Sequence, residues 1–253
     1  MNEYLKILGS VSPYPTRKNG CPGYLVYINN NKILFDCGPG VCSKLNFPED
    51  LSSLSIFISH YHKDHYSDLF SIGYASYVYS KLGILKQKIN LYIPKPSHNG
   101  CDLHDYYIIN KFNEHYFNII EYDEYDKFEF SNINISFMKN YHSIDSYSTK
   151  INYNGKVFIY TSDLGYSSKD SLVSFAKNAD FLLIESSFLI SDNQKSDYHL
   201  CAHESAIIAK EANVKVLILT HFWPKHSSKK YLKEAKKVFK NTKVVSENKI
   251  MYI

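Results

Sequence analysis

Arginine is almost missing from this 253-residue chain: of 29 basic residues one, Arg17, is an arginine and the others are lysines. The chain therefore has little of the planar fork that clamps phosphates in two places or reads guanine edges. An AT-rich coding bias, visible also in the abundance of Lys, Asn, Tyr and Ile, accounts for the scarcity. Cysteine is sparse and odd in number: Cys21, Cys37, Cys42, Cys101 and Cys201 contain no CxxC pair. That excludes a disulfide scaffold and a thiolate zinc site, and points to reduced thiols in the cytoplasm. No apolar run approaches the roughly 18 residues of a membrane span. Met1 to Ser10 has no basic segment followed by a long apolar one, so a cleaved secretory leader is not expected. No Pro/Gly/Ser-rich linker divides the chain, and a single domain over 1–253 is expected. A net charge of +4 is too small and too spread to require nucleic acid or an anionic membrane as partner.

What is present is a large core and many histidines. Hydrophobic residues make up 44% against 21% charged, enough for a buried interior, and there are eleven histidines. Short β-rich runs fill the first part. Tyr24 to Ile28 and Lys32 to Phe35 flank Asn29-Asn30-Asn31, and Thr149 to Tyr153 and Lys156 to Thr161 flank Asn154-Gly155, so each pair predicts a hairpin. Both hairpins run into an Asp close to a Gly, Asp36-Cys37-Gly38 and Asp163-Leu164-Gly165, a hint of two related halves. Fully apolar strands follow, Leu54 to Ile58, Phe181 to Ile184 and Val214 to Leu219, each stopping at a polar residue. Helical periodicity covers Ser67 to Leu82, His203 to Ala212 and Ser228 to Lys240, the last with Leu232, Ala235 and Phe239 on one stripe. The class is α/β, sheet packed on sheet with helices outside.

Ser59-His60-Tyr61-His62-Lys63-Asp64-His65 follows a buried strand and concentrates three imidazoles and a carboxylate. These ligands suit Zn²⁺ and, less tightly, Mn²⁺, Fe²⁺ or Co²⁺. In an extended loop residues i and i+2 point the same way, so His60 and His62 are placed to grip one ion. Asp64 and His65, where the chain turns into a helix, are placed for a second. His142, Asp163 and His221 each stand just past the end of a strand. They complete two sets: His60, His62 and His142, then Asp64, His65 and His221, with Asp163 able to bridge.

HxHxDH followed by a lone His, Asp and His resembles the metallo-β-lactamase superfamily over essentially the whole chain. The resemblance implies a four-layer αβ/βα sandwich. Phe35-Asp36-Cys37-Gly38-Pro39-Gly40, Tyr160-Thr161-Ser162-Asp163, Ile184-Glu185-Ser186-Ser187-Phe188 and His199-Leu200-Cys201-Ala202-His203-Glu204 narrow it to the ribonuclease Z-like phosphodiesterase branch. By that likeness Asp36 is a carboxylate behind the first metal loop that orients it. Glu185 stands where the branch has the Glu of a His-Glu-Ala-Thr motif, here degraded by Ile184, Ser186 and Ser187. His199 matches a histidine beside the scissile phosphate, and Asp64 and Glu185 join it as catalytic candidates. The resemblance implies two divalent ions, most readily Zn²⁺ with Mn²⁺ as an alternative, whose bridging hydroxide attacks phosphorus while His199 protonates the leaving alkoxide. The alternative for His199 is a cap or surface role before the helix near His203. His98, His104, His115 and His226 lack metal spacing and read as surface or satisfied polar residues.

Ribonuclease Z trims tRNA precursors, and its bacterial members carry a long arm between the positions of His142 and Asp163. Here those residues are 21 apart, room for one hairpin. The Lys-rich C-terminal helix (Lys229, Lys230, Lys233, Lys236, Lys237, Lys240) substitutes in part or merely forms a solvated face. Long nucleic acid is therefore not the expected partner. The compact pattern is similar to armless hydrolases that include the anti-Pycsar phosphodiesterases. That likeness implies hydrolysis of 3′,5′-cyclic nucleotides, a role in blunting cyclic-nucleotide antiphage signalling, and a homodimer. Tyr74 to Tyr79 and Tyr106 to Tyr125 offer base-stacking walls or, as aromatics more often do, core and interface packing. Gly20-Cys21-Pro22-Gly23 and Arg17 form either a loop over the substrate or a simple turn. Hydrolysis of β-lactams, lactones or thioesters uses the same fold and metals and stands as the different-class alternative.

Overall fold

The computed structural model describes residues 3–96, 103–130, 132–193, 196–247 and 249–253; His98 and Cys101 lie outside them. The chain divides into two compact units, Met1–Tyr122 with Glu247–Tyr252, and Asp123–Ser246 with Ile253. Each is built on one seven-stranded mixed sheet.

In the first unit the strands are β1 (Tyr4–Gly9), β2 (Gly23–Ile28), β3 (Asn31–Phe35), β4 (Leu54–Phe57), β5 (Ile89–Pro94), β6 (Phe117–Tyr122) and, last in the chain, β14 (Ile250–Tyr252). Their order is β14-β1-β2-β3-β4-β5-β6. β2 and β3 are the predicted hairpin, Ile28 opposite Asn31, and Asn29 and Asn30 both take positive φ, 49° and 68°. Two such residues make the turn whose twist matches the strands, and asparagine tolerates it. Parallel pairing from β3 to β6 buries Ile33, Phe35, Ile56, Phe57, Leu91 and Ile93. Removing side chains of this size from water contributes about 1.5–3 kcal/mol each. The predicted helix over Ser67 to Leu82 is α2 (Leu69–Lys81), and a separate helical turn, α1 (Lys63–Tyr66), precedes it. They are separate because Asp68 turns its N–H to Cys37 O and its carboxylate to the N–H groups of Gly40 and Cys42, all between 2.8 and 3.0 Å. Tyr74 and Tyr77 of α2 meet Phe112 and Tyr116, at and just beyond the end of α3 (Leu103–Asn113), with ring centroids 5.4–5.8 Å apart. These tyrosines therefore pack on one another.

The second unit contains β7 (Lys127–Phe130), β8 (Ile133–Asn140), β9 (Ser146–Tyr153), β10 (Lys156–Tyr160), β11 (Phe181–Glu185), β12 (Val216–Thr220) and β13 (Thr242–Val244), ordered as numbered. Three antiparallel pairings are followed by three parallel ones, the succession also found from β14 to β6. The two related halves read from the hairpins are thus present as topology. Asn154 and Gly155 close β9 to β10 with φ of 46° and 75°. Helices α4 (Lys169–Phe175), α5 (Ala202–Glu211) and α6 (Ser228–Ala235) accompany this sheet. α6 is shorter than the predicted Ser228 to Lys240. The N–H groups of Val238 and Phe239 both fold back on Ala235 O, and Asn241 O accepts from Leu217 N–H so that β13 pairs with β12. Joining the sheet ends the helix. No helix among the described residues is long and apolar enough to cross a membrane.

Two carboxylates tie this unit to pH. Burial raises the Asp180 pKa, but Lys215 Nζ at 2.6 Å and the Val157 N–H at 2.8 Å outweigh it and hold the carboxyl below its usual range. Asp192 is likewise held low: His226 Nε2 at 2.6 Å and the Leu189 N–H at 2.9 Å outweigh its burial. A depressed folded-state pKa contributes stability that is complete above the unfolded value of about 4 and lost as pH falls through the folded one. The urea midpoint is expected to drop below about pH 4, and less steeply in the Asp180→Asn, Asp192→Asn double variant; equal slopes would remove these two groups as the cause.

Candidate metal-ligand clusters

In the first unit Phe57 ends β4, the Ile58 N–H goes to Tyr92 O, and the chain runs extended through Ser59 to His62 before α1. His60 Nε2 and His62 Nδ1 come within 3.0 Å of each other. Two nitrogens on one tetrahedral ion, bound at about 2.0–2.1 Å, stand about 3.3 Å apart, so the pair fits one cation. Behind them sits Asp36, buried and at φ 57°. It accepts from the Ser59 N–H (2.8 Å), the Ser59 hydroxyl (2.9 Å) and His65 Nδ1 (2.8 Å). With its proton given to Asp36, the Ser59 oxygen accepts from His60 Nδ1 at 3.0 Å. Both imidazoles therefore carry hydrogen on Nδ1 and present the Nε2 lone pair outward, the form that binds a metal. His65 Nε2 lies 3.7 Å from Asp64 Oδ2, which takes the Ser12 hydroxyl at 2.6 Å. Ser12, 52 residues away, carries no sequence signal; Ser59 does, as the residue immediately before the motif.

The second unit repeats the device. Asn140, at the end of β8, donates to Thr161 O (2.8 Å) and Asp163 O (3.1 Å), and Ser146 also donates to Asp163 O (2.9 Å), fixing the backbone that carries the aspartate. His142 Nδ1 donates to Tyr198 O (3.0 Å) and leaves Nε2 3.9 Å from Asp163 Oδ2. His221, just past β12 at φ 58°, approaches Asp163 Oδ1 with Nε2 at 3.0 Å. Its Nδ1 meets Ser187 Oγ at 2.9 Å, and Ser187 in turn donates to Glu185 Oε2 at 2.8 Å. Buried Glu185 also takes His199 Nδ1 on Oε1 at 2.8 Å. The N–H groups of Leu164, Ser187 and Leu200 complete its shell at 3.2–3.3 Å.

Glu185, a catalytic candidate in a degraded motif, is in the structure a single carboxylate that holds His199 directly and His221 through Ser187. His199 keeps Nε2 outward with its side chain 26% exposed, and its ring stacks on His221 with centroids 5.6 Å apart. It is not the helix cap, because the residue before α5 is Cys201, whose N–H is taken by Glu204 at 2.8 Å. Ser187 was missed in sequence because its only mark is to follow Glu185 by two.

Remaining candidates fall outside these clusters. His226 pairs with Asp192; His104 and His115 are exposed. His203 gives its N–H to Glu234 at 3.2 Å. Gly20 to Gly23 is a buried turn in which the Cys21 N–H bonds Pro39 O and the Gly38 N–H bonds Pro22 O, both at 2.9 Å, with Arg17 exposed beside it. Four described cysteines are free. Burial pushes the Cys42 thiol up to about 11 and the Cys201 thiol up to about 12.

The profile of the Beta-lactamase superfamily domain matches residues 31–222. Among curated proteins the chain is 29% identical over 234 residues to the probable metallo-hydrolase YhfI of Bacillus subtilis (strain 168), covering 92% of each. It is 27% identical over 280 residues to ribonuclease Z of Saccharolobus solfataricus, covering 92% of this chain and 93% of that one. The YhfI crystal structure superposes with a TM-score of 0.89 at 26% identity over 99% of both chains. The short form of human tRNase Z shares the fold alone, with a TM-score of 0.72 at 19% identity and 99% of both chains covered. The αβ/βα sandwich predicted from the sequence is the fold of this chain.

Proposed function

The chain belongs to the beta-lactamase superfamily, and on that premise we propose that it is a dinuclear metal-dependent phosphodiesterase opening 3′,5′-cyclic nucleotides to linear nucleoside monophosphates. The ligand assignment is that of the motif: His60, His62 and His142 for one ion, Asp64, His65 and His221 for the other, Asp163 shared. Zinc is the proposed metal. The donor sets support it, since His60, His65, His142 and His221 each have one ring nitrogen engaged behind and the other presented. When bound, the ions supply a nucleophilic water at neutral pH and offset charge on the phosphoryl oxygens. The protein's own part is to orient these imidazoles, and at His199 Nε2 to deliver a proton to the departing ribose oxygen.

The observation that carries the phosphodiester reading is the Glu185–His199 pair beside Asp163 and His221. Hydrolysing a phosphodiester expels an alkoxide, and an imidazole held by a buried carboxylate is built to protonate it. A small substrate is supported by the stretch between His142 and Asp163, which is β9, one turn and β10 with no arm. The alignment to ribonuclease Z needs 280 positions, more than this whole chain, whereas that to YhfI needs 234. Full-length similarity to ribonuclease Z favours a second reading, tRNA 3′ processing, with the lysines of α6 and the turn after it as the anion-binding face. The homodimer implied by the sequence resemblance is supported by exposed apolar side chains of Tyr74, Tyr77 and Val78 on α2 and Tyr107 on α3. The four described cysteines, none in a disulfide, support the cytoplasm.

The test is turnover of cyclic AMP, GMP, CMP and UMP and of a precursor tRNA by protein loaded with Zn²⁺ or Mn²⁺. Cleavage of cyclic nucleotides, abolished by EDTA and restored by metal, is expected. Cleavage of the tRNA alone would reverse the order of the two readings, and light scattering showing a monomer would remove the dimer.

A further inference from the structure

Beside His199 the second unit contains a cavity of about 490 Å³ lined by Phe188, Leu189, Ile190, Asn193, Ser196, Cys201 and Glu204. Its size accommodates a nucleobase, and its described lining suits an uncharged group better than a phosphate. No lysine or arginine lines it among the described residues, whereas Glu204 does. The start of α5, ordinarily a place where free N–H groups attract anions, is already occupied. The Cys201 N–H is taken by Glu204 (2.8 Å), that of Ala202 by Phe188 O (2.9 Å) and that of His203 by Glu234 (3.2 Å). Two carboxylates thus cancel the positive end of the helix. Cys201 is a neutral thiol. What fits is an uncharged planar group with hydrogen-bond donors, entering against the Phe188 ring.

We propose that this cavity receives the base of the nucleotide and that Glu204 gives it a preference for guanine. The inference rests on the nucleotide reading above. Glu204 Oε2 accepts the Cys201 N–H, and an ionised carboxylate retains further lone pairs. Guanine presents two adjacent donors, N1–H and the 2-amino group, to such an acceptor. Adenine presents one donor beside an acceptor, which faces the carboxylate unfavourably. Asn193, also in the lining, has an amide N–H to offer the guanine carbonyl, and Phe188 supplies a stacking face indifferent to the base.

Calorimetric titration of GMP and AMP into the metal-loaded protein tests this without relying on turnover. GMP is expected to bind at least tenfold more tightly than AMP. Glu204→Gln keeps an oxygen to cap Cys201 but replaces the acceptor pair by one acceptor and one donor, and should reduce the GMP to AMP ratio at least tenfold. Phe188→Leu keeps the apolar fill and removes the ring, so both nucleotides should weaken severalfold with their ratio retained. Equal affinities in the wild type, or an unchanged ratio in Glu204→Gln, overturn the proposal. A protein that selects GMP yet opens no cyclic nucleotide keeps this cavity and loses the cyclic-nucleotide reading; one that opens all four alike does the reverse.

Discussion

In the Glu185→Gln protein, opening of a 3′,5′-cyclic nucleotide, whose leaving group is a ribose alkoxide, should fall by two to four orders of magnitude in kcat with little change in KM, and metal content should fall as well. Five donors converge on this carboxylate: the Ser187 hydroxyl, His199 Nδ1 and three backbone N–H groups. An amide offers one oxygen and turns its other end into a donor, so at least one of those five meets hydrogen instead of a lone pair. Leaving a buried donor unmet costs about 1–3 kcal/mol, and the group with most freedom to move away is the His199 ring. Loss of a positioned proton donor costs about 10²–10⁴ in rate. The second branch, through Ser187 to His221, adds the roughly 10–100-fold loss of metal affinity typical when the group behind a ligating histidine is removed. His199→Ala separates the two branches, since it should lower kcat as far while leaving metal content whole. Metal analysis and steady-state kinetics on both variants decide the matter. Wild-type kcat in Glu185→Gln, or metal loss in His199→Ala equal to that in Glu185→Gln, would show that the carboxylate does not join these histidines.

The residues at strand ends were legible in the sequence because buried parallel strands are apolar on both faces, so the first polar residue marks where the sheet stops. That is how His60, Asp163 and His221 stood out, along with Asp36 and Glu185. Hairpins were legible for a local reason: Asn29-Asn30 and Asn154-Gly155 tolerate positive φ. What the sequence did not display is how the carboxylates are used. Asp36 follows β3 and takes the Ser59 N–H; at the matching place after β10 stands Thr161, whose hydroxyl takes the Glu185 N–H at 3.3 Å. The carboxylate has changed strands between the halves, from the fourth in the sheet order to the fifth, while the carboxylate–serine–histidine chain is retained. Periodicity cannot register such an exchange, because it depends on which of two neighbouring side chains donates. One helix end was misjudged for a tertiary reason: α6 stops at Ala235, short of Lys240, because the chain beyond it folds back and pairs β13 with β12.

The glycines that follow the two aspartates give the other large effect. Neither has a positive φ, so their requirement is space. A Cβ on Gly38 would stand 1.8 Å from Asp64 O and 2.6 Å from the Cys21 Cβ; one on Gly165 would stand 1.7 Å from Asp197 O. In each case the obstacle is backbone, which cannot swing aside as a side chain does. Overpacking of this kind costs about 1–3 kcal/mol and moves the chain it meets. Gly38→Ala should therefore displace the Asp64–His65 turn and lose metal together with activity. Gly165→Ala pushes instead on the segment two residues before His199, and should lower kcat by at least tenfold with metal content largely kept. Gly83→Ala is the control, since its φ of 71° carries backbone strain of about 1–2 kcal/mol but no atom lies within 4 Å of the added carbon. It should lose a little thermal stability and neither metal nor rate. If Gly38→Ala and Gly165→Ala behave like Gly83→Ala, close approach of these backbones is not what the two Asp-x-Gly segments provide. A difference between the first two in metal content would mean that each half positions its own functional loop by the same contact, one carrying ligands and the other the proton donor.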